Sequence, residues 1–240
     1  MTSAPALSLP PLLTAHAAVS AVPAEEVARL GAEAGRYGAG DLIWQADGEG
    51  VSVALVLEPE VSPEICRQML FVATVATGDA IGALIPPEVG LTWDWPSTLR
   101  ANDGIVGRIG LEMSETLDAG GAPNWLVVSL KVALRDIGGE GVEPGHTPER
   151  TTLYDEGCGE IAAEELVCAW ARHLLTWIDT WQQEGFAPGR EAWTFRARGR
   201  TDGEIAIDRG GMIHRGRVLG LDDRGGLLLE TASGMVLLEL

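Results

Sequence analysis

Residues 91–112, LTWDWPSTLRANDGIVGRIGLE, restrict the fold more than any other stretch of this chain. Trp93 and Trp95 alternate with polar neighbours on the two-residue period of a strand, and Pro96 then withholds a ladder donor. Asn102, Asp103 and Gly104 tolerate positive φ, so they suit a tight turn between two β runs. The segment therefore reads as a strand, a corner, a short return strand and a longer strand paired antiparallel.

Helical and extended patterns alternate around it. Glu25 and Glu26 open a helical pattern with Val27, Leu30 and Ala34 on one stripe, which ends near Gly35. Residues 41–46 and 51–57 read as a hairpin across Asp47-Gly48-Glu49-Gly50. Ser62 suits an N-cap with Pro63 at the first helical position, and Ile65, Met69, Val72 and Val75 follow at helical spacing, giving an apolar face for the sheet. Residues 124–134 form a strand with Leu126, Val128, Leu130, Val132 and Leu134 on one face and Trp125, Val127, Ser129, Lys131 and Ala133 on the other. The first face reads as core and the second as a site wall. Residues 135–150 are rich in Gly, Pro and charge, the composition of a surface loop. Over 161–183, Leu166, Trp170, Leu174, Trp177 and Trp181 mark a long amphipathic helix whose tryptophans are packing anchors. From Gly203 onward, β runs at 204–207, 212–221, 226–230 and 235–240 alternate with Gly-rich turns. That pattern suggests a small barrel, and so few residues must lean on the larger domain for a core.

Composition narrows the function classes. The 240 residues are 46% apolar, enough for one large domain and a small one. Thirty-five acidic against 17 basic residues give a net charge of -18, which repels nucleic acid and anionic membranes, so neither is expected as a partner. Residues 1–20 hold no Lys or Arg, and Pro10 and Pro11 break their apolar run, so a secretory signal or membrane span is not expected and a cytoplasmic chain is. Cys66, Cys158 and Cys168 lack a C-x-x-C spacing and the four histidines are dispersed, so no disulfide framework and no metal site are expected. Neither a G-x-S-x-G elbow nor a P-loop is present.

The 91–112 segment resembles the core of the biotin and lipoate protein ligases, in which a Trp-Pro-Asn-Asp-Leu run precedes a Lys-x-x-Gly turn. Trp95, Pro96, Leu99 and Gly107 fit that pattern, Ser97 and Thr98 replace the Asn-Asp pair, and Gly104 falls where the lysine is expected. Residues 183–188 (QEGFAP), Trp193 and residues 220–229 (GLDDRGGLLL) resemble the domain junction and SH3-like C-terminal domain of bacterial biotin ligases. The resemblance implies an α+β fold of the class II synthetase and biotin-ligase type: a mixed, largely antiparallel sheet with helices on one side over residues 1–195, and an SH3-like β-barrel over 196–240. It also implies ATP, with magnesium, as co-substrate. Biotin or lipoate is then the candidate acid, converted to an acyl-adenylate and passed to a lysine of a biotin or lipoyl carrier domain.

Those steps build negative charge, which a preorganised cation stabilises. The loop that in the family reads Gly-Arg-Gly-Arg-Arg-Gly corresponds here to residues 36–41, RYGAGD, with one arginine, and residues 47–50 add acid. Lys131 is the single lysine of the chain. It is either a relocated cation for an anionic ligand or a strand-end lysine whose head reaches water. Arg108 and Arg100 flank the Asn-Asp-Gly turn and are able to grip a carboxylate by two hydrogen bonds, or to form surface ion pairs. Lys131 and Arg108 are thus the catalytic candidates, with Trp95, Pro96, Arg100, Gly107 and Ser129 as the ligand wall. Three functions fit: a ligase slowed by the missing lysine, a non-catalytic relative that binds a small carboxylate or a carrier domain, and an oligomeric scaffold, for example a homodimer, joined through the Trp-rich helix or the barrel.

Overall fold

A computed structural model describes residues 7–18, 22–135, 151–201 and 203–240. The chain runs β1 (Thr14–Ala17), α1 (Ala24–Glu33), β2 (Asp41–Ala46), β3 (Gly50–Leu57), α2 (Pro63–Cys66), α3 (Met69–Gly82), β4 (Leu91–Asp94), β5 (Thr98–Ala101), β6 (Gly104–Met113) and β7 (Leu126–Ala133). It continues through α4 (Ala163–Glu184), α5 (Ala187–Arg196), β8 (Ile205–Arg209), β9 (Met212–Leu221), β10 (Leu227–Thr231) and β11 (Gly234–Leu238). The first seven strands form one sheet in the order β1-β2-β3-β7-β6-β5-β4, antiparallel except for the β1–β2 pair. The class is α+β. The surface-loop expectation for 135–150 lies, beyond Arg135, outside the described residues.

The alternation in β7 sorts the two faces of this sheet. Leu126, Val128, Leu130 and Val132 join Leu42, Leu55, Ile109, Leu99 and Trp93 in the main core under α3 and α4. Twelve of the 14 residues of α3 are buried, because it lies between the sheet and α4 rather than on the surface. Its start is split: Ser62 is extended and makes no side-chain cap bond, and α2 gives way to α3 at Arg67 and Gln68. The tryptophans of α4 act as anchors, each with its indole N–H satisfied by α3 or the residue before it: Trp170 donates to Thr77 (3.0 Å), Trp177 to Asp79 (2.9 Å) and Trp181 to Gln68 (2.8 Å). The opposite face is only partly covered. There α1 packs Ala24, Ala28 and Ala32 onto Ile43, Ala54, Val56 and Val127, over β2, β3 and β7.

The last four strands form an antiparallel sheet, β11-β10-β9-β8, which is open rather than a closed barrel among the described residues. Its inner residues Val218, Leu221, Leu227, Leu229 and Leu238 belong to the same core cluster as Phe71, Trp95 and Trp193. The helix α5 was not evident in the sequence, where residues 183–193 read only as a junction; Pro188 in its first turn and Arg196 in its last were the available signals.

Candidate functional site

Strand register places a row of polar side chains across the partly covered face. Gln45 lies opposite Ser52, Ser52 opposite Lys131, Lys131 opposite Arg108, Arg108 opposite Thr98, and Thr98 opposite Asp94. Directly paired residues of an antiparallel sheet point the same way, with Cα atoms about 5 Å apart. Both Arg108 and Lys131 are exposed. Among the described residues neither has a carboxylate within ion-pair distance. Two like charges directly opposite destabilise a sheet, and a protein with twice as many acids as bases has ample means to neutralise them. Side by side on one face, the two cations have the chemistry to hold one anionic group.

Cavities flank this pair. On one side, an open cavity of about 430 Å³ is lined by Lys131, Gln45, Ser52, Ala133 and the turn residues Asp47 and Glu49. Gln45 Oε1, beside this cavity, is buried and has no hydrogen-bond partner among the described residues. Ser52 Oγ donates to Glu25 (2.7 Å) and accepts from the Ala24 N–H (3.2 Å), which fixes the start of α1 beside the cavity. On the other side, about 500 Å³ lies between the β4–β5 edge and the second sheet, lined by Trp95, Thr98, Arg100, Arg198 and Arg215 with Asp94 and Glu204.

The sequence-derived candidates divide between these places. Lys131 lines the first cavity, Trp95 and Arg100 line the second, and Arg108 stands between them in the strand order. The Arg100 guanidinium is engaged, donating to Asp94 (2.7 Å) and to the Asp103 carbonyl, while Arg198 holds the other Asp94 oxygen (3.2 Å). Trp95 donates its indole N–H to the Gly225 carbonyl (2.9 Å) and carries Arg209 5.5 Å from its ring centre, so it also joins the two sheets. Pro96 follows it through a cis peptide, and Ser97 closes the corner by donating to the Ile109 carbonyl (2.8 Å). Gly107 is needed for packing, since a Cβ there would meet the Lys131 carbonyl oxygen at 2.6 Å. Ser129 lies opposite Gly110 on the site face, where a Cβ on Gly110 would meet Ser129 Oγ at 2.5 Å.

Gln45, Ser52, Arg198 and Arg215 were not among the candidates. Only the pairing of β2 with β3 and the approach of the second sheet bring them in, and neither leaves a local motif. At the far end of the face, burial pushes the Glu112 carboxyl above its usual range despite Arg29 at 3.7 Å. Elsewhere, Cys66, Cys158 and Cys168 are buried and free, and burial with the nearby Glu156 charge pushes the Cys158 thiol up to about 11. No group of three or more metal-ligating side chains occurs among the described residues.

A mixed sheet with one face buried under helices and the other carrying a polar row beside α1, followed by a small antiparallel sheet, defines the ligase-type architecture. The chain belongs to the biotin/lipoate A/B protein ligase family, whose model matches residues 9–195, and the biotin protein ligase C terminal domain model matches residues 204–238. It is 32% identical over 195 residues to a biotin–[acetyl-CoA-carboxylase] ligase of Paracoccus denitrificans, covering 80% of this chain and 78% of the relative. The crystal structure of a biotin protein ligase-like protein of unknown function from a Silicibacter species shares 35% identity, with a TM-score of 0.82 and coverage of 97% and 96%. The biotin protein ligase of Aquifex aeolicus, solved with biotin and ATP, shares the fold at 15% identity, with a TM-score of 0.68 and coverage of 85% and 88%.

Proposed function

We propose that this chain activates a small carboxylic acid with ATP and transfers the acyl group to a lysine of a carrier domain, with Arg108 and Lys131 holding the reacting carboxylate. The observation that carries the reading is the unneutralised cross-strand pair of Arg108 and Lys131 between two cavities. Two cations fit one carboxylate or one phosphate. ATP supplies the group that makes the carboxylate oxygen a leaving group. The chain's own part is to hold that oxygen: Arg108 by two parallel N–H donors, Lys131 by a point charge. The cavity with Arg198 and Arg215 lies next to Arg108 and suits the second substrate. ATP dependence makes the cytoplasm the expected compartment. The division we propose is a catalytic-type domain over 1–195 and a C-terminal domain over 196–240.

Pyrophosphate exchange with ATP, run separately with biotin, lipoate and octanoate, tests this. Exchange that depends on one acid and falls about 10²- to 10³-fold in Arg108→Ala supports it, the range for one lost preorganised contact. A second reading, a carboxylate binder without catalysis, is favoured by the position of Gly104, where a lysine is expected and no cation stands. Saturable acid binding by calorimetry with no exchange would establish that reading instead.

A further inference from the structure

The chain contains one lysine against 16 arginines among its 17 basic residues, and that lysine is on the site face. A guanidinium stays protonated and does not act as an acyl acceptor, whereas a lysine amine does. Lys131 is thus the one side-chain amine the protein exposes to any acyl group activated at its own site. It lines the cavity with Gln45 and Ser52 and faces Arg108. Among the described residues it has no carboxylate partner to occupy its nitrogen.

We propose that Lys131 is an autoacylation site that switches the protein off. The inference rests on the reading above, in which the acid's carboxylate lies against Lys131. A nitrogen that contacts the carboxylate is also within reach of the carbonyl carbon once that group is activated, and such proximity raises reactivity strongly. The donor is an acyl-adenylate, a mixed carboxylic–phosphoric anhydride. Lys131 is exposed, and its ammonium first loses one proton to solvent water. The Nζ lone pair then forms the C–N bond, the acyl C–O bond to phosphate breaks with its electron pair going to AMP, and the nitrogen passes a second proton to water. Nothing is oxidised or reduced. The product is an amide, too stable to be passed on to a carrier, and it removes one of the two cations. Each event therefore ends anion binding at that site.

Synthetic biotinyl-adenylate added to the full-length chain tests this without requiring the protein to make the adenylate. The expected result is a single adduct in the intact mass, mapped by peptide digestion to Lys131 and distinguished from any α-amino adduct. It should form about tenfold or more faster than in the chain unfolded in urea. Arg108→Ala should slow it, and Lys131→Arg should abolish it. Equal labelling rates in folded and unfolded chains would overturn the proposal, as would acylation of the α-amine alone. The reading it rests on is scored apart, by pyrophosphate exchange. Exchange without a Lys131 adduct rejects autoacylation and leaves ligase activity standing, while an adduct from the synthetic donor without exchange does the reverse.

Discussion

At the scale of single residues, the site turns on which positions of β6 face the polar row. The sequence resemblance leads one to expect the family lysine at Gly104, but Gly104 pairs with Ala101 on the core side, and a Cβ there would run into Thr151 and, at 2.7 Å, Glu156 Oε1. The ladder is irregular between Leu99 and Arg100, and this shift pairs Ile105 with Arg100, which lies on the same side as Arg108. Ile105→Lys is therefore expected to raise acid-dependent pyrophosphate exchange. Gly104→Lys should leave exchange flat and lower the thermal midpoint, so the two variants measured side by side separate sequence alignment from strand register. An increase with Gly104→Lys alone would refute the register argument. The same irregularity explains how much of the site was legible. The shared face of Lys131 and Ser129 was assignable because β7 alternates cleanly, whereas the side faced by Gly104 and Ile105 depends on an extra residue that no local pattern announces.

At the scale of elements, loops rather than strands fasten the parts together. The 222–226 turn presses into the main core: Trp95 donates to the Gly225 carbonyl, Gln68 donates to the Asp223 carbonyl (2.7 Å), and Arg190 pairs with Asp223 (2.6 Å). Gly225 has φ +83°, and a Cβ there would enter the Phe71 ring. Gly225→Ala should thus cost about 1–3 kcal/mol in urea unfolding, through overpacking and a left-handed backbone. A change within about 0.5 kcal/mol, the range of an ordinary surface substitution, would show that the turn is not a plug. The edge strand β1 is fastened by His16, which pairs with Asp41 at 2.7 Å. Burial works to raise the Asp41 carboxyl, but the Gly38 N–H and His16 outweigh it and hold the group below its ordinary 3.8. Because the folded value lies below the unfolded one, this contribution is fully present above about pH 3.8 and fades as pH falls through the lower folded value. Asp41→Asn should flatten that part of the acid-unfolding curve; an unchanged curve would remove Asp41 from the account. Most elements were legible because each strand or helix carries its own period. Strand β1, the split before α3 and helix α5 were not, since β1 is defined by its parallel pairing with β2, Gln68 is fixed by Trp181 and Asp223, and α5 by docking Trp193 against Phe71.

At the scale of the molecule, a net charge of -18 opposes compactness while a continuous core resists it. The second sheet contributes Val218, Leu221, Leu227, Leu229 and Leu238 to the same cluster as Trp93, Trp170 and Trp193, so neither sheet keeps a complete core without the other. A unit as small as the last four strands buries too little apolar surface to persist alone. The two sheets should therefore unfold together. Tryptophan fluorescence reports mainly the first sheet and its helices, because all eight tryptophans precede Ala197, whereas far-ultraviolet circular dichroism reports both. Coincident urea transitions by the two probes are expected, as two-state behaviour requires. Salt sharpens the test: screening the excess negative charge should move both midpoints upward together as ionic strength rises from about 0.01 M to about 0.15 M. Loss of part of the circular dichroism signal ahead of the fluorescence change would mean that the C-terminal sheet melts first. In that case the Trp95–Gly225 contact joins two independent units, and the cavity with Arg198 and Arg215 opens and closes with the detachment of the smaller one.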